Sequence, residues 1–303
     1  MTDGDAARVV AIFGPTASGK SAVAYALREQ LGGEVVSADS AALYEGLPIL
    51  TAAPSYPARL VGVIPLDQDV SVGEYQRLAH VAIDEIVAAH RVPIVVGGTG
   101  LYFRAALSSL ELPPPPAPGE RERWGRLYDE LGPEHAHAWL AARDPEAAAR
   151  IHANDRRRVV RALELAEAGS SLAPARDRLW SDDARHPTLI VGLDVPQEEL
   201  DARIEARVHE MVARGAVAEA HEAWQAQPST TARKVLGLEE FATLPLAGAV
   251  EAVVAATRRL ARYQRKWLRR LPAAATLAAD RPPEEIADEI VALAGAGERL
   301  PRH

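Results

Sequence analysis

The chain has 303 residues, 48% of them hydrophobic and 25% charged, and 34 basic against 42 acidic side chains leave a net charge of −8. These fractions are those of a globular protein and exclude disorder, collagen and coiled coil as descriptions of the whole chain. The absence of cysteine excludes disulfide, zinc-thiolate and iron–sulfur chemistry.

No apolar run reaches the roughly 18 residues of a spanning helix, and the opening MTDGDAAR lacks a basic stretch followed by a long apolar one. A cytoplasmic protein with no membrane association is therefore expected. At about 150 residues per domain the length suits one or two domains.

In chain order, residues 8–13 (RVVAIF) predict a buried strand, 21–31 a helix, 34–38 a second strand, 74–90 an amphipathic helix and 93–97 (PIVVG) a third strand, with a helix starting near Leu101. Strands separated by helices indicate a parallel sheet covered on both faces. The run PPPPAP at 113–118 is a stiff polyproline-type segment that a sheet interior excludes. From 119 to 169 the pattern is helical and polar, 177–187 reads as a charged loop, and 188–194 (TLIVGLD) returns as a strand. The expected organisation is an α/β core of residues 1–111 and 188–303 interrupted by an all-helical insertion at 112–187. Beyond the insertion, 197–214 and 246–271 predict helices, 273–279 a last strand and 282–294 a closing helix with its prolines in the first turn.

Gly14-Pro15-Thr16-Ala17-Ser18-Gly19-Lys20-Ser21 matches G-x-x-x-x-G-K-[ST] between a strand and a helix. In that context the loop N–H groups and the helix N-terminus converge on an anion, Lys20 neutralises phosphate oxygens, and the Ser21 hydroxyl can reach Mg²⁺. The expected fold is thus a P-loop NTPase-like parallel sheet. Asp39, at the end of the second strand, stands where open α/β sheets bind ligands. As an isolated residue it reads as a Mg²⁺ ligand, a general base, or a turn former. The third strand ends in Gly97-Gly98-Thr99-Gly100 without the acid that a nucleoside triphosphatase carries there, which weakens a reading as an ATP-hydrolysing enzyme.

The net acidity argues against nucleic acid only if charge is evenly spread. Lys20, Lys234 and Lys266 are the only lysines, so 31 of the 34 basic residues are arginines. Arg156, Arg157, Arg158 and Arg161 cluster in the insertion, and residues 258–270 hold Arg258, Arg259, Arg262, Arg265, Lys266, Arg269 and Arg270 without an acid. Tyr263 and Trp267, one helical turn apart among them, either pack on the core or stack on a base.

Taken in order, GPTASGKS at 14–21, SADS at 37–40 with Tyr44 beyond it, GGTGLYFRA at 97–105, DPEAAARIHANDRRRVVRALE at 144–164 and TRRLARYQRKWLRR at 257–270 resemble the tRNA dimethylallyltransferases, or tRNA isopentenyltransferases. The resemblance implies transfer of a dimethylallyl group from dimethylallyl diphosphate to N6 of the adenosine immediately 3′ of the anticodon, with Mg²⁺ as cofactor and tRNA, through its anticodon loop, as partner. It assigns Asp39 as base and Thr99 as its catalytic companion. Gly14, Thr16, Ala17, Ser18, Gly19, Lys20, Ser21, Arg203 and Arg207 would hold the diphosphate. Asp39, Ser40, Ala41, Ala42, Arg121, Arg123, Arg157, Arg158 and Arg161 would contact tRNA, in a protein expected to act as a monomer. Three departures stand out. Ala41 and Ala42 replace a polar pair that reads the base in many members, Ala53 replaces a lysine, and Ala153 replaces a proline. The competing readings are a prenyltransferase acting on free adenine nucleotides, a small-molecule kinase using Asp39 as base, and a tRNA-binding module without activity.

Overall fold

The computed structural model describes residues 8–113, 119–173 and 183–296. Most of the proline run at 113–118 and half of the charged segment at 177–187 lie outside the described residues. The chain divides into two compact units, Met1–Ser109 with Leu179–His303, and Leu110–Arg178.

In the first unit β1 (Val9–Phe13), β2 (Glu34–Ser37), β3 (Ala58–Arg59), β4 (Pro93–Gly97), β5 (Thr188–Asp194) and β6 (Ala275–Ala278) form one sheet in the order β3-β2-β4-β1-β5-β6, every pairing parallel. All five residues of β1 are buried, so its side chains alternate between two covered faces. On one face Val10 and Ile12 join Leu27 of α1 (Lys20–Leu31) and Ile286 and Ile290 of α12 (Pro283–Ala296). On the other, Phe13 meets Phe103 of α3 (Gly100–Leu107) edge to face, ring centroids 5.2 Å apart. Tyr75 of α2 (Val72–Ala88) lies against Tyr102 there and donates its hydroxyl to the Ser37 carbonyl at 2.9 Å. Each such side chain contributes about 1.5–3 kcal/mol on burial, which is why the strand–helix alternation is readable in the sequence.

β3 was not foreseen: it is two residues long and carries Arg59, which pairs with Glu34 at 3.0 Å. A short, charged edge strand blocks further pairing and leaves almost no hydrophobic pattern. After the insertion come α8 (Gln197–Ala213), α9 (Ala216–Gln225), a 3₁₀ turn at Ala232–Lys234, α10 (Leu238–Thr243) and α11 (Leu246–Leu268). The α9–α10 region has no counterpart in the sequence reading, and α11 ends three residues before the expected 271.

The second unit comprises α4 (Glu120–Leu131), α5 (Pro133–Arg143), α6 (Pro145–Ala148) and α7 (Arg156–Glu167). Trp124, Tyr128, Leu140, Ile151, Val159 and Leu163 give it a core of its own. Its C-terminal limit is Arg178 rather than 187. Arg185 and His186, placed with the insertion by sequence, bind Asp84 of α2 at 2.8 and 2.7 Å.

Candidate active site

In the order β3-β2-β4-β1-β5-β6 the chain runs from β1 to β2 on one side of the sheet and from β4 to β5 on the other, so the loop after β1 lies at the switch point where open α/β sheets bind ligands. Gly19 caps α1 at φ +87°, a conformation open to glycine, and Ala17 sits at φ +63°. Left-handed backbone at a residue with a side chain costs about 1–3 kcal/mol and persists where surrounding structure imposes it. The N–H groups of Lys20 and Ser21, the first two of α1, have no preceding turn to donate to, whereas that of Ala22 donates to the Gly19 carbonyl at 3.0 Å. The Ser18 hydroxyl is buried and has no partner among the described residues. Donors without acceptors in a concave turn are what an anion requires.

Lys20 Nζ donates to the Pro15 carbonyl at 2.6 Å. Burial pulls its pKa down to about 7; Asp39 opposes that shift and Arg207 adds to it. Arg207 Nη1 donates to Thr16 Oγ1 at 3.2 Å, and burial lowers the Arg207 pKa against the opposing fields of Asp39 and Glu210. One carboxylate and two half-buried cations are thus in electrostatic reach of one another at the loop.

Asp39 follows β2, whose end is tied to β4 by the Ala38 N–H donating to the Val96 carbonyl at 2.7 Å. Its Oδ1 accepts the Ala41 N–H at 3.0 Å. The turn-forming role therefore coexists with the electrostatic one, because the second carboxylate oxygen is left over. Thr99 caps α3 without using its side chain. Its half-buried hydroxyl lies at the same end of the sheet, since Gly97, two residues before it, pairs with Phe13. Ser40 and Ala41 are half-buried, whereas Ala42 is buried and its carbonyl accepts from the Gly62 N–H at 2.8 Å. That stretch presents Ser40 and Ala41, not the Ala42 side chain.

Arg203 is not joined to the loop. Its guanidinium donates to Glu199 and, at 3.1 Å, to the Ala279 carbonyl. Of the second arginine cluster, Arg258 pairs with Glu205 at 2.8 Å and Arg265 with Asp194 at 2.9 Å, which binds α11 to α8 and β5. Trp267 packs on Gly100, where a Cβ would lie 2.0 Å from its ring, and Tyr263 is exposed. In the insertion Arg156 clasps Asp129 and the Gly125 carbonyl, Arg121 and Arg161 both bind the buried Glu164, and Arg123 binds Glu120 and Glu167. Arg158 lies 3.5 Å from Asp155. Arg157 is exposed and has no partner among the described residues.

Two residues at the site escaped sequence reasoning. Gln264, buried within the arginine run, accepts the Thr16 N–H on Oε1 at 2.7 Å. Glu219 of α9 accepts the N–H groups of Ile49 and Leu50 at 2.9 and 2.8 Å, anchoring the segment that follows Asp39. The only prior signal for Gln264 was an uncharged polar residue among cations; Glu219 had none.

The sheet order and the loop at its switch point define a phosphate-loop α/β protein. The IPP transferase family model matches residues 42–271, and the chain belongs to that family. It is 43% identical over 287 residues to a tRNA dimethylallyltransferase of Salinispora arenicola, covering 90% of this chain and 82% of the relative. It is 42% identical to a tRNA dimethylallyltransferase of a Caulobacter species, covering 86% and 89%. The crystal structure of a tRNA isopentenylpyrophosphate transferase from Bacillus halodurans superposes with a TM-score of 0.68 at 28% identity over 96% of this chain and 97% of that one. A eukaryotic dimethylallyltransferase acting on tRNA shares the fold, with a TM-score of 0.74 at 22% identity over 98% and 81%.

Proposed function

We propose that this chain transfers the dimethylallyl group of dimethylallyl diphosphate to N6 of the adenosine immediately 3′ of the anticodon in tRNA. The observation that carries the reading is the pairing of a phosphate loop, closed over by Lys20 and Arg207, with a single carboxylate, Asp39, in electrostatic reach of both cations. A triphosphatase needs an acid at the end of β4, and that strand ends in glycine.

In this reaction the N6–C1 bond forms as the C1–O bond to diphosphate breaks, the electron pair leaving with the oxygen. The adenine amine loses nucleophilicity to ring delocalisation, so its proton must depart as the bond forms. Asp39 takes it, a contribution of about 10²–10⁴ in rate. Lys20, Arg207, the Ser18 hydroxyl and the N–H groups of Lys20 and Ser21 face the charge gathering on diphosphate, and Thr99 supports the amine and the diphosphate from the cap of α3.

Among the described residues no three His, Cys, Asp or Glu side chains gather into a metal site. The exposed Ser21 hydroxyl at the start of α1 would hold a Mg²⁺ ion together with the diphosphate, hard oxygen ligands being those this ion favours. Bound there, it would offset charge on the leaving group. The exposed arginines of the insertion, with Arg157 foremost, supply the attraction for RNA phosphates, and all proposed diphosphate ligands come from one chain, so a monomer suffices.

Labelled dimethylallyl diphosphate, Mg²⁺ and unmodified tRNA should yield labelled tRNA, with AMP failing to compete. Label on AMP instead, or transfer undiminished by Asp39→Ala, overturns the reading.

A further inference from the structure

We infer that Gln264 is a specificity-determining positioning residue that limits the phosphate loop to two phosphates; the inference rests on the diphosphate reading above. A loop of this type cradles successive phosphates with successive backbone N–H groups. Here the N–H groups of Gly19, Lys20 and Ser21 are open, while the Ser18 and Ala22 N–H groups are spent on the Pro15 and Gly19 carbonyls and the donor nearer the loop's entrance is closed. The Thr16 N–H is spent on Gln264 Oε1 at 2.7 Å, and Thr16 Oγ1 is held by Arg207 at 3.2 Å.

The Gln264 amide cannot swing aside cheaply. Its side chain is 3% exposed. It lies against Gly98, where a Cβ would stand 2.5 Å from Gln264 Nε2 and 2.9 Å from the Gly14 carbonyl. The absence of a side chain at Gly98 thus makes room for the amide between two glycine turns, and α11 delivers it there. A third phosphate at the entrance of the loop would have to displace a buried hydrogen bond and would meet the amide carbonyl, an acceptor facing its own acceptors. A diphosphate served by the donors of α1, Lys20 and Arg207 meets neither obstacle. The same carbonyl holds the loop ready in the absence of ligand.

The test is calorimetric titration of the full chain with inorganic diphosphate and with tripolyphosphate, each with Mg²⁺, in wild type, Gln264→Met and Gln264→Glu. Met keeps the volume and removes the acceptor; Glu keeps an acceptor for the Thr16 N–H. Wild type should prefer diphosphate. Gln264→Met should lose at least about tenfold of that preference, through tighter tripolyphosphate binding, whereas Gln264→Glu should keep the preference while weakening both anions. An unchanged preference in Gln264→Met, or an equal loss in both variants, overturns the inference, since a merely structural role would not separate Met from Glu. Wild type that binds neither anion would instead sink the diphosphate reading itself.

Discussion

Arg207 Nη1 reaches Thr16 Oγ1 at 3.2 Å, so a guanidinium from α8 covers a loop that begins almost two hundred residues earlier in the chain. Arg203, one helical turn before it on the same face of α8, turns instead to Glu199 and the Ala279 carbonyl. Replacing Arg207 by Ala should therefore lower kcat about 10²-fold, the scale of losing one preorganised charge-stabilising donor. Arg203→Ala should leave kcat within a few-fold. Steady-state kinetics on both variants checks the contrast, and equal losses would place both guanidinia on the diphosphate.

Asp39→Asn keeps an oxygen to accept the Ala41 N–H, so the turn should survive. It removes the base, and kcat should fall by about 10²–10⁴ with the Michaelis constant for tRNA little changed. A rise in that constant without loss of kcat would mean that Asp39 only holds the RNA.

Lys20 carries a pKa of about 7, lowered chiefly by burial. At pH 8 the free protein therefore holds Lys20 mostly neutral, and an arriving diphosphate draws a proton onto it. Titrations in buffers of different ionisation enthalpy should show proton uptake at pH 8 that is smaller by up to one proton in Lys20→Met. The linkage to folding has the opposite sense to that of a paired lysine. Because the folded pKa lies below the unfolded one, the penalty for burying the charge is fully present below about pH 7 and is relieved as pH rises towards the unfolded value. Lys20→Met should accordingly raise Tm more at pH 6 than at pH 9.

The insertion's arginines should separate into two classes. Arg121 and Arg161 share the buried carboxylate of Glu164. Replacing both by Ala strands that charge and should destabilise the unit by about 3–5 kcal/mol, read by thermal unfolding. Arg157→Ala should leave Tm alone and reduce the salt dependence of tRNA affinity by about one unit of log–log slope. An unchanged slope would remove Arg157 from the RNA interface.

Gly100→Ala would drive a Cβ to 2.0 Å from the Trp267 ring. Overpacking at such a contact costs about 1–3 kcal/mol. The displacement should also move Gln264, one turn earlier on α11. Loss of stability with unaltered diphosphate affinity would show that the two contacts are independent.

The places of the loop at 14–21, of Asp39 and of Thr99 in the fold were legible because each follows a strand whose hydrophobic pattern is strong. The arginine clusters were legible as charge but not as roles. Arg156, Arg161, Arg258 and Arg265 turned out to hold the protein's own carboxylates. Partners such as Glu164 to Arg121, or Asp194 to Arg265, lie 43 and 71 residues away, beyond any local rule. β3 and α9 escaped for the opposite reason: one is two residues long, and the other packs through small alanines that give a weak periodicity.

By itself, then, the sequence determined the alternating α/β core, the helical stretch within it, the glycine-rich turn between β1 and α1 and the family, all of which rest on short-range patterns of burial and turn geometry. Net charge of −8 bounded nothing about RNA. Only the tertiary structure decided which cations are spent on internal carboxylates and which stay exposed, that Arg207 rather than Arg203 meets the loop, and that Gln264 closes the Thr16 N–H. Those outcomes depend on where α7, α8 and α11 lay their side chains against distant groups, and a buried hydrogen bond or ion pair is won by proximity in space.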